Sequence, residues 1–426
     1  MRGRVTLFIS CVHKNSQMLR ETQRRNSEKL RWLIEQGKHS LRAAGEVASA
    51  LRVPVELRGA YAGWLGHENL GDEAIFEAVS REVYPLHLRH FAGMRKERLL
   101  AGLFGSKRLY RFGILGGGTL ILGGYAGHLE PLLNAGLPCY AYGTGVLDPG
   151  ELPLNGIDRH IERWIQVLKQ MKVLYVRGPR SKKVLVELGI KNAEVSGDPA
   201  LLHALDAVPA CPNRPVLGVA LYLPRRHYDG DGKSLYGAVR DTCRWALKQG
   251  WTPRLFPVSS EDLTDSIRLS HDLNLSVENI CPFYENASAF IQEATACRLF
   301  LGVRLHSVIL AHCAYAPAVM VAYQPKCFDY MESVGMEEWA VRSDQCEAAA
   351  FIRLLETADA RRNEIRAALF KRVGALVPVL RAVGKSIVVR HALDSSISSR
   401  GRQDGSAPRE SHTALARAFE QHKRET

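Results

Sequence analysis

The stretch Gly63-Trp64-Leu65-Gly66-His67-Glu68-Asn69-Leu70-Gly71-Asp72-Glu73-Ala74 decides how the chain is read. It follows an apolar run over residues 53–61 and leads into Ile75, Phe76, Ala78 and Val79 at helical spacing. Strand, glycine turn and helix start therefore succeed one another. Gly63, Gly66 and Gly71 would let backbone N–H groups approach an anionic ligand. Asn69 can cap the helix, and Asp72 and Glu73 fill its first turn, where carboxylates are favourable. A second glycine turn, Gly116-Gly117-Gly118-Thr119, follows the strand-like residues 112–115. Glycine turns at two strand ends suggest one cleft, because open parallel sheets bind ligands beyond the carboxyl ends of their strands. The plainer alternative, glycines that only shape tight turns, explains either cluster taken alone.

On both sides of these turns apolar runs alternate with amphipathic segments. Strands are expected near 54–61, 84–89, 112–116, 138–142, 172–176 and 192–196, with helices near 71–82, 159–170 and 179–189. Val208-Pro209-Ala210-Cys211-Pro212-Asn213-Arg214-Pro215 then breaks the pattern with three prolines in eight residues and reads as a linker. A second series follows, with strands near 216–223, 252–258, 298–303 and 318–323 and helices near 233–248, 285–295, 305–314 and 326–334. The α/β alternation predicts two doubly wound, Rossmann-like domains, 53–207 and 216–350, with a cleft between them. Residues 351–394 are expected to form helices that close the fold, bent near Pro378 and able to pack across both domains. Residues 1–52 form a basic extension, and 395–426, rich in Ser, Arg, Gly and Gln, a disordered tail with room for a short helix over 414–419.

With 426 residues, 46% of them hydrophobic, the chain can bury the cores of two domains. The cysteines are odd in number and contain no CxxC pair, which argues against a disulfide framework or a zinc site and for a reducing compartment. The apolar run over residues 5–12 is short for a signal peptide, and no stretch approaches the ~18 to 20 apolar residues of a membrane span. The expected location is the cytoplasm. Of the formal net charge of +13, residues 1–52 hold a net +7, from eleven Lys or Arg against four Glu. Such an arm suits either peripheral contact with the anionic inner-membrane surface or simple solvation. Without aromatic interleaving it does not read as a nucleic-acid binder.

Three junctions carry residues suited to chemistry. Arg304-Leu305-His306 lies between the apolar strand ending at Val303 and the apolar helix holding Val308, Ile309, Leu310 and Ala311. There Arg304 can grip a phosphate or carboxylate bidentately and His306 can move protons near neutral pH, unless it is a hydrogen-bonded core residue. Arg177 ends the strand over 173–176 just before Pro179 starts a helix, as a surface charge or an anion clamp. Lys326 follows Tyr323-Gln324-Pro325, either approaching a phosphate or standing in solvent. Asp198 in Gly197-Asp198-Pro199 reads as a turn cap, Arg180 as a residue on a solvated helix face, and His312 as structural.

Taken in order with Tyr175-Val176-Arg177-Gly178-Pro179-Arg180-Ser181, Gly197-Asp198-Pro199-Ala200, Val303-Arg304-Leu305-His306-Ser307 and Ala322-Tyr323-Gln324-Pro325-Lys326, the opening stretch resembles the polysaccharide pyruvyl transferase family over roughly residues 53–339. The resemblance implies a fold like that of the B-type glycosyltransferases and transfer of pyruvate from phosphoenolpyruvate, as co-substrate and without a cofactor or metal, to two sugar hydroxyls as a ketal. It implies donor binding by Arg177, Arg304, Lys326, Gly117 and Gly118, acceptor binding by Asn69 and Asp72, and proton transfer by His306 and Asp72. The acceptor would be a glycan or a lipid-linked or nucleotide-linked sugar, as in exopolysaccharide and cell-envelope synthesis. His67, Glu68 and the Gly178-Pro179 pair after Arg177 depart from the family's usual residues. The alternatives are a nucleotide-sugar-dependent glycosyltransferase, for which no C-terminal ribose-binding Glu motif is evident, and a non-catalytic glycan-binding scaffold. A dinucleotide oxidoreductase fits worse, because neither glycine turn gives GxGxxG.

Overall fold

A computed structural model describes residues 53–90, 105–148, 161–212, 214–223, 232–281 and 286–400, with side chains to residue 392. The chain divides into two compact units, residues 1–54 and 55–426. The basic arm and the residues after 400 lie outside the described residues, as do the expectations attached to them. Both sheets and the candidate site belong to the second unit.

The strands of this unit form two parallel sheets. The first contains β1 (Arg58–Ala62), β2 (His87–His90), β3 (Phe112–Leu115), β4 (Thr119–Ile121), β5 (Cys139–Val146), β6 (Val173–Val176) and β7 (Glu194–Val195), in the order β2-β1-β3-β5-β6-β7 with β4 against β5. The second contains β8 (Val216–Ala220), β9 (Thr252–Leu255), β10 (Leu299–Gly302), β11 (Ala318–Ala322) and β12 (Ala340–Arg342), in the order β12-β11-β10-β8-β9. All of β3, β5, β10 and β11 is buried, as expected for inner strands covered by helices on both faces. Residues 208–215 connect the segments that build the two sheets. Each sheet begins at a strand, crosses to one neighbour, and returns to build the other side. The order therefore reverses between β1 and β3 in one sheet and between β8 and β10 in the other, and such switch points open crevices at strand carboxyl ends.

The segments bearing the two sheets are pinned together beside these crevices. The backbone N–H of Leu70 donates to the Val258 carbonyl at 2.9 Å, and Asn69 and Ser259 form an isolated antiparallel bridge. Asp329 caps the helix Pro179–Glu187 from across the boundary, accepting from the Ser181 backbone N–H at 3.0 Å and its hydroxyl at 2.6 Å. A buried carboxylate at a helix N-terminus satisfies free donors and opposes the helix dipole.

Several elements differ from expectation. The helices Ala126–Asn134 and Ser260–Asp272 and the short strands β4 and β12 are additional, whereas the helix Ala348–Ala360 falls within the expected closing helices and starts three residues earlier. Pro131 sits within the first of these helices, and the second is largely polar. After residue 360 one helix, Arg362–Arg400, runs through Pro378 and past Ser395, where a disordered tail was expected to begin. It touches both sheet-bearing segments. Arg366 donates to the carbonyls of Pro209 and Tyr315, Tyr142 donates its hydroxyl to the Leu380 carbonyl, and the His391 ring bonds the Glu56 carbonyl at 2.7 Å. Among the described residues no helix is long and apolar enough to cross a membrane.

Candidate active site

The helix Leu70–Glu82 starts just beyond β1 and brings Asp72 to the first switch point. Asn69 caps it, its side-chain oxygen accepting from the Gly71 N–H at 3.1 Å, while Gly66 N–H donates to Glu73 Oε1 at 2.9 Å. Two donors expected to face a ligand are thus used within the turn. Gly71 has a different purpose: a Cβ there would lie 2.0 Å from Cγ of His306. The imidazole rests on bare backbone. Gly116 and Gly117 likewise make room, the first for the Tyr61 hydroxyl and the second for Ile75. Gly118 needs its φ of +93° and lies beside Asp72, whose Oδ1 would be 3.4 Å from an added Cβ. Asp72 is only 8% exposed, and burial pushes its carboxyl from 3.8 up to about 7, against the pull of Lys326 and Arg177 and with repulsion from Asp198 and Glu73.

The second sheet supplies the facing groups. Arg304 follows β10 at the other switch point, as the N-cap residue of the helix Leu305–Cys313. Its Nε donates to both Asp262 oxygens at 3.0 and 2.9 Å and its Nη2 to Oδ1 at 2.7 Å. The guanidinium also lies 3.7 Å above the Tyr222 ring centroid. Lys326 begins the helix Pro325–Ser333 beyond β11, with Nζ 4.9 Å from the Tyr323 ring centroid. Tyr222 and Tyr323 themselves meet edge to face at 5.3 Å. Burial lowers the Lys326 pKa; Arg177 and Arg304 push the same way, against Cys327 and Asp72. A small cleft opens here between Thr119, Val146, Leu147 and Asp148 on one side and Gln324, Pro325 and Lys326 on the other.

Behind these residues lies a buried ion pair. Arg177 has no exposed surface; its Nε donates to Asp198 Oδ2 at 2.8 Å and its Nη1 to Thr119 Oγ1 at 3.3 Å. It stands at the strand end as expected but lacks the exposure of a ligand clamp. Asp198 caps its turn as expected, accepting from the Ala200 N–H at 3.0 Å, and also holds this arginine. His306 Nε2 is buried without a hydrogen-bond partner among the described residues, 3.9 Å from Asp198 Oδ2, and Arg177 Nη2 is unpartnered in the same sense. Burial, then the charges of Arg177, Lys326 and Arg304, hold His306 well below its usual pKa, so the ring is neutral at pH 7.

The structure therefore gathers Asp72, Arg177, Arg304, His306 and Lys326 with Gly118, while Asn69 and Gly117 serve the turns beside them. His312 is fully buried, with Nδ1 2.9 Å from the Tyr330 hydroxyl. Arg180 does not lie on a solvated face as expected; it bonds Glu332 at 2.8 Å and covers the Phe328 ring. Tyr222, Asp262, Thr119 and Tyr61 were not singled out by the sequence. Only Asp262 carried a signal, the Ser259-x-x-Asp262 capping pattern; in the structure Ser259 caps the helix by accepting from the Glu261 N–H, and Asp262 accepts from the Val258 N–H instead of closing the box. No group of three or more His, Cys, Asp or Glu side chains among the described residues is assembled to hold a metal.

Compared with known proteins, the sequence matches the polysaccharide pyruvyl transferase family over residues 69–325. No curated protein matches significantly. The structure is similar to a glycosyltransferase from Rickettsia africae, at 12% identity and a TM-score of 0.51, covering 79% of this chain and 98% of that one. It is similar also to Os79 from O. sativa in complex with U2F and trichothecene, at 12% identity and a TM-score of 0.52, covering 78% of this chain and 100% of the other. At such identities the likeness concerns the fold, two Rossmann-like α/β domains in the B-type glycosyltransferase arrangement.

Proposed function

The chain belongs to the polysaccharide pyruvyl transferase family, and we propose that it transfers pyruvate from phosphoenolpyruvate to two hydroxyls of a sugar acceptor, forming a cyclic ketal and releasing phosphate. The observation that supports this most is the convergence of Arg304, Lys326 and His306 from one sheet on Asp72 from the other. Phosphoenolpyruvate carries a phosphate and a carboxylate; Lys326 lines the cleft to meet one of them, and Arg304, at the strand end beside it, would meet the other. Lys326 lies against an aromatic face, which positions a cation without neutralising it, whereas Arg304 is held both over the Tyr222 ring and in its ion pair with Asp262. Arg177 adds positive potential from behind the wall.

The reaction takes one proton onto the methylene carbon of the donor, leaving a cationic carbon that a hydroxyl oxygen attacks. Loss of phosphate then lets the second hydroxyl close the ketal. Two hydroxyl protons are released; one balances the proton placed on carbon and the other leaves with phosphate. An acid and a base are needed. His306 is neutral while the cleft is empty, held so first by burial and then by the charges of Arg177, Lys326 and Arg304; a bound donor would offset those charges, though not the burial, and so favours the protonated ring that acts as the acid. Asp72, titrating near neutrality, takes a hydroxyl proton when ionised. Asn69 borders the acceptor side.

The test is incubation of the purified protein with phosphoenolpyruvate and a panel of free, nucleotide-linked and lipid-linked sugars, measuring phosphate release and acceptor mass. Acceptor-dependent phosphate release with a matching mass gain is expected. Sugar incorporation from nucleotide sugars, with phosphoenolpyruvate untouched, overturns the reading.

A further inference from the structure

Just before Asn69 and Asp72, the loop beyond β1 displays an aromatic pair that the scheme above does not use. The Trp64 indole stacks on the His67 ring with centroids 3.9 Å apart and planes 14° from parallel, yet Trp64 keeps 49% of its surface exposed. The His67 ring covers one indole face, so the exposure belongs to the rest of the side chain. A tryptophan so placed adds little to the core. Its loop is nevertheless fastened along its length: the His90 ring bonds the Gly63 carbonyl at 3.2 Å, Gly66 N–H is tied to Glu73, and Leu70 N–H is tied to Val258. A Cβ on Gly63 would meet the Tyr61 ring at 2.4 Å, which packs the start of the loop against β1.

We propose that Trp64, backed by His67, is a stacking platform for the pyranose ring of the acceptor, a subsite that rests on the pyruvyl-transfer reading for its place in the reaction. A pyranose presents a patch of axial C–H groups on a face and hydroxyls around its rim, which suits a rigid indole beside polar groups. The neighbours are of the latter kind: His67 and Glu68 are exposed, Asn69 is half-buried, and Asp72 follows in the first turn. A lipid or protein partner would call for a contiguous apolar patch, and here a single aromatic stands among polar residues. Trp64 stands on the loop that leads from β1 into the helix carrying Asp72, the carboxylate that would meet the acceptor hydroxyls.

Saturation-transfer NMR with methyl pyranosides of the common hexoses tests binding without turnover. Saturation of axial ring protons is expected for the wild type, lost in Trp64→Ala, weakened in His67→Ala and partly kept in Trp64→Phe, all with unchanged melting temperatures because Trp64 is exposed. In the phosphate-release assay Trp64→Ala should raise the acceptor KM about tenfold or more while leaving kcat and the phosphoenolpyruvate KM in place. Wild-type protein that binds no pyranoside, or a Trp64→Ala variant with unchanged saturation and acceptor KM, overturns the platform. Saturation that depends on Trp64 in a protein releasing no phosphate with any acceptor supports the platform and sinks the pyruvyl-transfer reading instead.

Discussion

Replacing Asp72 by asparagine removes a carboxyl whose pKa burial has raised from 3.8 to about 7. At about 1.36 kcal/mol per tenfold change, that rise makes the ionised residue cost the folded state about 4 kcal/mol above pH 7. The folded chain binds this proton more tightly than the unfolded chain does. The stabilisation is therefore complete below pH 3.8, declines between 3.8 and about 7, and is absent above. Asparagine is neutral throughout and escapes the decline. The stability of Asp72→Asn relative to wild type should consequently improve by about 2.5 kcal/mol from pH 5 to pH 8, read as a shift between urea midpoints at the two pH values. Turnover should fall roughly 10²- to 10⁴-fold, as for loss of a general base. A variant that gains stability where wild type is weakest while losing activity marks a carboxylate kept at the expense of the fold. If the stability difference is the same at both pH values, the carboxylate is not held in a desolvated site and the assignment fails; full activity in the variant ends its role as base.

Gly71→Ala pits helix propensity, which favours alanine by about 1 kcal/mol, against a Cβ placed 2.0 Å from His306 Cγ; the clash should win, with turnover falling toward that of His306→Ala and the double variant no worse than either. His306→Ala itself should lose roughly 10²- to 10⁴-fold in kcat. Because the folded state depresses this histidine's pKa, wild type should lose stability as pH falls below 6.5 more steeply than the variant, which acid titration monitored by circular dichroism will show. Arg177→Ala leaves Asp198 buried without its ion-pair partner and should cost about 3 to 5 kcal/mol of stability in urea unfolding; a variant as stable as wild type would mean the pair is not buried as described. Tyr222→Leu removes the ring beneath Arg304 and should raise the phosphoenolpyruvate KM about threefold to tenfold, whereas Tyr222→Phe keeps the π face and should match wild type; equal values for the two would show that the ring does not position the guanidinium.

Much of the fold was legible because its strands are buried on both faces and so appear as short apolar runs ended by glycine or proline. The runs at 112–115, 173–176 and 318–322 are of this kind. The Asn69 cap was legible because it depends on residues two positions apart. The features that stayed hidden depend on distant neighbours. Gly71 appears in sequence as a loop glycine open to a ligand; its requirement comes from His306, on an element of the other sheet. Arg177 appears as an exposed strand-end cation, and only the fold shows Asp198 and Thr119 enclosing it. Short strands such as β4 and β12 escape notice because three residues show no periodicity.

The same reversal of strand order in both sheets explains why so few residues can form this site. Each sheet exposes backbone ends at its own switch point, and the Leu70–Val258 bond brings the loop at β1 to the segment that follows β9. Asp262, two residues into the helix Ser260–Asp272, then lies within reach of Arg304, and His306 within reach of Gly71. Three cations, Arg177, Arg304 and Lys326, are thereby balanced by three carboxylates, Asp198, Asp262 and Asp72. Two of those carboxylates are locked in hydrogen bonds to an arginine. Asp72 accepts no such bond from Lys326 and is left to titrate near neutrality, so it is the carboxylate free to take up a proton from an acceptor hydroxyl.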